Sequence, residues 1–208
     1  GVNGLFIESS DNSFGSSDAD LRAWVMARLL WDPDADTDAL VDEWMRGVYN
    51  KAAAPMRAYF DLIHSRAAAP DAHLHIFAAP GKTMWPDMTV ASMDSLFVRA
   101  LALAKGDSVA TRYIRKNRLA VTYLKIALNT GRLELADDRW RPSGNGATLA
   151  DCDAFIREAR ETGLTTLGSR AEDCDTFSLL RQRLTDHPVV WVENDDLRVA
   201  ATPDLGGR

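Results

Sequence analysis

One apolar run of strand-forming residues, Val2 to Ile7, stands ahead of a long succession of helical patterns. A strand cannot satisfy its own backbone hydrogen bonds. The run is apolar throughout, with Gly1 and Gly4 inside it, so it reads as a strand buried on both faces, as in a parallel sheet. The helical sequence that follows offers it no neighbouring strand. The expected partner is a sheet supplied by sequence outside this chain. The same argument applies at the far end, where Val189–Val192 and Leu197–Ala201 flank the turn Asn194-Asp195-Asp196. A lone hairpin is marginal in water. The chain therefore reads as a fragment of a larger protein.

Between these ends the periodicity is helical. The first helix is expected from Asp18 to Trp31, with Ser17 or Asp18 as its N-cap. Leu21, Trp24, Val25, Met26, Leu29, Leu30 and Trp31 leave it little polar face, which predicts a largely buried helix. Arg28 shares that face and would need a carboxylate or carbonyl partner. Asp32-Pro33 ends this helix, and Thr37 can cap the next. Ala53–Arg66 follows with Pro55 in its first turn. Residues 70–87 are irregular. Helices are then expected over Thr89–Ala104, Ser108–Asn129, Thr148–Thr162 and Arg170–Leu184, with Trp140–Gly146 as a loop. Asp107 should cap the long Ser108 helix, and Gly131 stands where a left-handed C′ glycine belongs. In that helix Ala110, Tyr113, Ile114, Asn117, Val121, Leu124 and Leu128 fall on one side and Leu119 and Ile126 on the other, so its second half should pack on two faces.

The balance of charge narrows the function. Net charge is -6, so wholesale nucleic-acid binding lacks the basic surface it needs. Arg112, Arg115, Lys116 and Arg118 form a local basic run, which reads first as a solvated or ion-paired helix face. No apolar run is long enough to span a membrane, and the first residues have no signal-peptide pattern. An export signal would lie upstream, so compartment stays open. His73 and His75 alternate as a metal pair might, but no nearby acid or Cys completes a set. No cofactor is expected. Cys152 and Cys174 are the only cysteines; buried free thiols are the ordinary reading, and their pairing stays open.

The stretch GVNGLFIESS, followed by LRAWVMARLLWDPDADTDALVDEWMRGVYNKAAAPMRAYFDLIH, resembles a bacterial family of unknown function, number 4838 among such domains. The resemblance runs over residues 1 to 130, and Gly4-Leu5-Phe6-Ile7-Glu8 and Leu29-Leu30-Trp31-Asp32-Pro33 are its most telling parts. That family looks like a glycoside-hydrolase barrel with helical additions. Phe6, Glu8, Leu30 and Trp31 are also similar to the last barrel strand and helix of family 20 hexosaminidases. Arg28 stands where those enzymes carry an acid, and their strand Trp is absent. The end, LRVAATPDLGGR, is similar to the opening strands of galactose-mutarotase-like β-sandwiches.

These resemblances imply a mostly α chain. It would be the C-terminal fragment of a (β/α)8 barrel (residues 1–31), then a helical domain (32–186), then a terminal β-hairpin beginning a β-sandwich (187–208). The implied partners are a carbohydrate substrate and the upstream barrel and downstream β-domain of the same parent protein. Glu8, at the C-terminal end of a barrel strand, sits where barrel active sites are built. Glycoside hydrolysis needs two carboxylates, and only one is well placed here. The resemblance implies that Glu8 holds sugar hydroxyls and is not the proton donor; a structural salt bridge to Arg22 or Arg28 is the competing role. Ser9, Asp11 and Asn12 can bond sugar hydroxyls or simply shape a turn. Trp85, in the loop Pro80–Pro86, can stack on a sugar ring or plug its loop into the core. Trp24, Trp31 and Trp44 read as core. The rival reading is a non-catalytic helical module that binds glycans or scaffolds its neighbours.

Overall fold

The computed structural model describes residues 4, 6–7, 18–73, 79–143, 146–164 and 176–203. The chain is mostly helical, with β-structure gathered toward its C-terminal part. The helices are α1 (Ala19–Trp31), α2 (Thr37–Tyr49), α3 (Ala53–Ala67), α4 (Asp87–Leu103), α5 (Ser108–Asn129), α6 (Leu149–Thr162) and α7 (Thr176–Gln182). A 3-10 turn, Asn50–Ala52, joins α2 to α3. Strands β1 (Leu133–Ala136), β2 (Arg139–Pro142) and β3 (His187–Pro188) form one antiparallel sheet in that order. Strands β4 (Val190–Glu193) and β5 (Arg198–Ala201) form the expected hairpin.

Local chemistry sets the boundaries. Asp36 caps α2, accepting from the backbone N–H groups of Asp38 and Ala39, a contribution of about 1 kcal/mol. Thr37, the expected cap, is instead the first helical residue. Asp107 caps α5 through the N–H of Ala110, as expected. Thr148 and Asp151 form a reciprocal capping box on α6, and Gly163 closes that helix with φ 89°. Gly131 does not play the corresponding part for α5. The helix ends where Thr130 turns extended, φ -71° and ψ 119°, on its way into β1.

Helix α5 is the common wall of two cores. Ala110, Ile114, Val121 and Leu124 join Leu21, Val41, Met45, Tyr49, Met56, Tyr59, Val90, Met93 and Phe97 in the larger core. Leu119 and Ile126, from the opposite side of α5, join Cys152, Phe155, Phe177, Leu180 and Leu184 in the smaller one. The two-faced packing expected from the sequence is therefore present. Fully burying side chains such as Phe97, Met56 and Ile114 contributes about 1.5–3 kcal/mol each.

Helix α1 departs from expectation. Of its residues only Leu21 is buried. Leu30 is exposed, and Trp31 is 92% exposed, so Trp31 is not a core residue. Trp24 and Trp44 are half-buried and pack on each other with ring centroids 5.6 Å apart. Arg28 is exposed as well; it lies over the Trp24 ring at 5.2 Å and pairs with Glu43 at 3.4 Å. The all-round apolar pattern predicts a buried helix, yet α1 packs mainly against α2 and turns its C-terminal apolar residues outward. Phe6 and Ile7, the described part of the expected first strand together with Gly4, lie in no strand, and Phe6 is 90% exposed.

Residues 140–146, expected to form a loop, overlap β2 (Arg139–Pro142). The hairpin β1–β2 turns at Asp137 and Asp138, both with positive φ (49° and 55°), the backbone signature of the mirror-image turns that suit hairpins. Asp138 also links the two sheets. Its carbonyl accepts from the N–H of Val189, and its carboxylate accepts from Trp191 Nε1 at 2.7 Å.

Candidate functional site

The polar groups at the foot of α1 form the most organised cluster among the described residues. Asp18 adopts a left-handed conformation, φ 55°, and its backbone N–H donates to Asn117 Oδ1 at 3.1 Å. Asn117 Nδ2 in turn donates to the Tyr49 hydroxyl at 2.8 Å. Asn117 is 5% exposed and Tyr49 is buried, so this is a polar chain inside the larger core. Burial, and then the negative charge of Asp18, push the Tyr49 phenol above its ordinary value, although the bond from Asn117 opposes them. The phenol is neutral throughout the physiological range. The chain ties the start of α1 to α5 and α2.

One turn away lies a cleft of about 150 Å³, lined by Asp20, Arg112, Tyr113, Lys116 and Thr162. These residues come from α1, α5 and the last position of α6. Lys116 Nζ donates to Asp20 Oδ2 at 2.7 Å, with the lysine side chain 13% exposed. A larger cavity of about 430 Å³ lies between the C-terminus of α2 and the α4–α5 turn, bordered by Asn50, Lys51, Lys105, Asp107 and Ser108. Its helix N-terminus is already served by the Asp107 carboxylate.

The rest of the basic run on α5 is structural. Arg115 binds Glu158 at 3.1 Å and Glu161 at 2.9 Å on α6. Those two carboxylates raise its pKa. Arg118 and Lys125 share Asp94 of α4. Burial works to raise the Asp94 pKa, but the hydrogen bonds from Lys125 and Arg118 prevail and hold it below the usual carboxylate range. Arg57 of α3 similarly gathers Asp38, Asp42 and Asp61 at 2.9, 2.6 and 2.8 Å. Such partly exposed pairs contribute little individually to stability; their evident effect is to fix how the helices sit on one another.

Of the residues singled out from sequence, Glu8 and Asn12, with Ser9 and Asp11, lie outside the described residues, as do His75 and Cys174. Trp85 is half-buried and packed against the larger core. Its loop is pinned: Trp85 N–H donates to Gly81 O, and Arg66 donates to the carbonyls of Thr83 and Met84. Cys152 is a fully buried free thiol whose pKa burial pushes up, which suits an inert core residue. Among the described residues no group of three or more His, Cys, Asp or Glu can hold a metal ion, and no helix is long and apolar enough to cross a membrane.

Reasoning from sequence missed the Asp18–Asn117–Tyr49 chain and the cleft beside it. One signal was present: Asn117 falls on the apolar side of α5, and a polar residue in such a stripe needs a partner. What that partner was lay far away in sequence. No curated protein and no solved structure matches the chain. Residues 1–61, which carry the Glu8 segment, α1, α2 and the start of α3, match the family model described as Domain of unknown function (DUF4838), so over that stretch the chain is similar to that family.

Proposed function

We propose that this chain is part of a glycan-acting protein of glycoside-hydrolase type. Its first residues add a strand and a sugar-holding acid, Glu8, to a (β/α)8 barrel, and its helices form the support behind them. The observation that carries this reading is the buried Asp18–Asn117–Tyr49 chain. A segment that must present a side chain to a substrate needs a rigid root, and these hydrogen bonds anchor the backbone of Asp18, ten residues after Glu8 in sequence. The carbohydrate substrate, the upstream barrel and the downstream β-domain are the partners of this proposal.

The test is Glu8→Gln in the full-length parent, assayed on the glycosides it cleaves. Loss of a charge-assisted hydrogen bond to a sugar hydroxyl should weaken kcat/KM by about tenfold or more. An unchanged kcat and KM on every substrate refutes the role. The isolated 208-residue chain should show no turnover, since one carboxylate cannot perform the reaction; turnover by it overturns the assignment.

A second reading is a non-catalytic helical module that binds glycans or scaffolds its neighbours. It draws on the many carboxylates of the described helices that are held by Arg and Lys, as at Asp94 and around Arg57. Glycan binding by the purified chain that Glu8→Gln leaves unaltered favours this second reading.

A further inference from the structure

We propose that the cleft between α1, α5 and α6 binds a small carboxylate, held by Arg112, Tyr113 and Lys116. Arg112 and Lys116 are one helical turn apart, so their charges face the same patch. Like charges at that spacing repel, and among the described residues that line the cleft the one acid is Asp20, which is bound to Lys116. Arg112 has no ion-pair partner among the described residues, in contrast to its neighbours Arg115 and Arg118. The Tyr113 hydroxyl likewise has no hydrogen-bond partner among them. Among the described residues the cleft thus presents a guanidinium without an ion-pair partner and a phenolic donor, beside a lysine that already binds Asp20.

A carboxylate matches this set. It accepts two parallel hydrogen bonds from a guanidinium, and the phenol supplies a further donor. The size also selects. At about 150 Å³ the cleft suits one small molecule. Thr162 adds a preference. Its hydroxyl proton is already directed at the carbonyls of Glu158 and Ala159, at 3.0 and 2.9 Å, so its oxygen can only accept, as from a ligand hydroxyl. The ligand is therefore either a free small acid or a single acidic sugar. The inference stands on the cleft alone and does not depend on the role given to Glu8.

The experiment is titration of the purified 208-residue chain with sodium acetate, glucuronate and glucose, read by isothermal calorimetry and by NMR shifts. Both acids should bind and glucose should not. Arg112→Gln and Tyr113→Phe should each weaken acid binding, Arg112→Gln by about tenfold or more. Arg112 is exposed, so its variant should melt where the parent chain melts. Tighter binding of glucuronate than acetate identifies an acidic sugar; equal binding identifies recognition of the carboxylate alone. The proposal is overturned if neither acid binds, if glucose binds as well as glucuronate, or if both variants bind acids like the parent.

Discussion

Replacing Asn117 with Ala tests the buried link between the start of α1 and helices α2 and α5. The side chain makes two hydrogen bonds, from Asp18 N–H at 3.1 Å and to the Tyr49 hydroxyl at 2.8 Å. Each is worth about 1 kcal/mol net, and leaving the buried Tyr49 hydroxyl without its donor adds about 1–3 kcal/mol. Alanine recovers about 0.5 kcal/mol in helix propensity. The expected loss is about 2.5–4.5 kcal/mol. In a domain of this size that lowers Tm by about 5–18 °C. Urea and thermal unfolding followed by far-UV circular dichroism measure it. Tyr49→Phe supplies the second arm of a double-mutant cycle, and the two substitutions should couple by about 1 kcal/mol. A loss below about 0.5 kcal/mol with no coupling would refute the link.

Two further outcomes follow from the same contacts. Asp94→Asn should cost stability at neutral pH, and the deficit should shrink in acid. The folded-state pKa of Asp94 is depressed, so its contribution is full above the unfolded carboxylate value of about 3.9 and is lost as pH falls through the folded value. Urea melts of both proteins at neutral pH and near pH 3 decide it; a deficit that stays constant between them contradicts the ion-pair account. Trp31→Ser should change stability by less than about 0.5 kcal/mol, because the ring is exposed. A loss above about 2 kcal/mol in the same assay would place Trp31 in the core.

The helices were legible because each carries its own signals. Ser108–Asn129 was read with its true limits, since Asp107 marks the start and the apolar positions keep step throughout. Even its second packing face was visible in Leu119 and Ile126. Where the reading failed, tertiary context decided. Nothing local says that Trp31 points to solvent, because an apolar residue on a helix announces affinity for a partner and not the partner's presence. The strand β2 was missed because Asp137-Asp138 lacks the glycine that usually flags a tight hairpin, although both residues take positive φ. The site was least legible. Asn117, Tyr49, Asp18, Asp20 and Lys116 are ordinary residue types brought together across the sequence by three helices, and only Asn117 looked out of place in its stripe.

The sharing of α5 between two cores has a consequence for how the molecule comes apart. Leu119 and Val121, two positions apart, belong to different cores. Helices α6 and α7 can therefore detach as a local opening that bares one side of α5 while the larger core still grips the other. The reverse does not hold, since α6 and α7 have no wall to rest on once α5 unwinds. The molecule thus has a hierarchy of openings: amides in α6 and α7 can exchange through a small event, whereas those in the middle of α5 wait for the whole bundle to unfold.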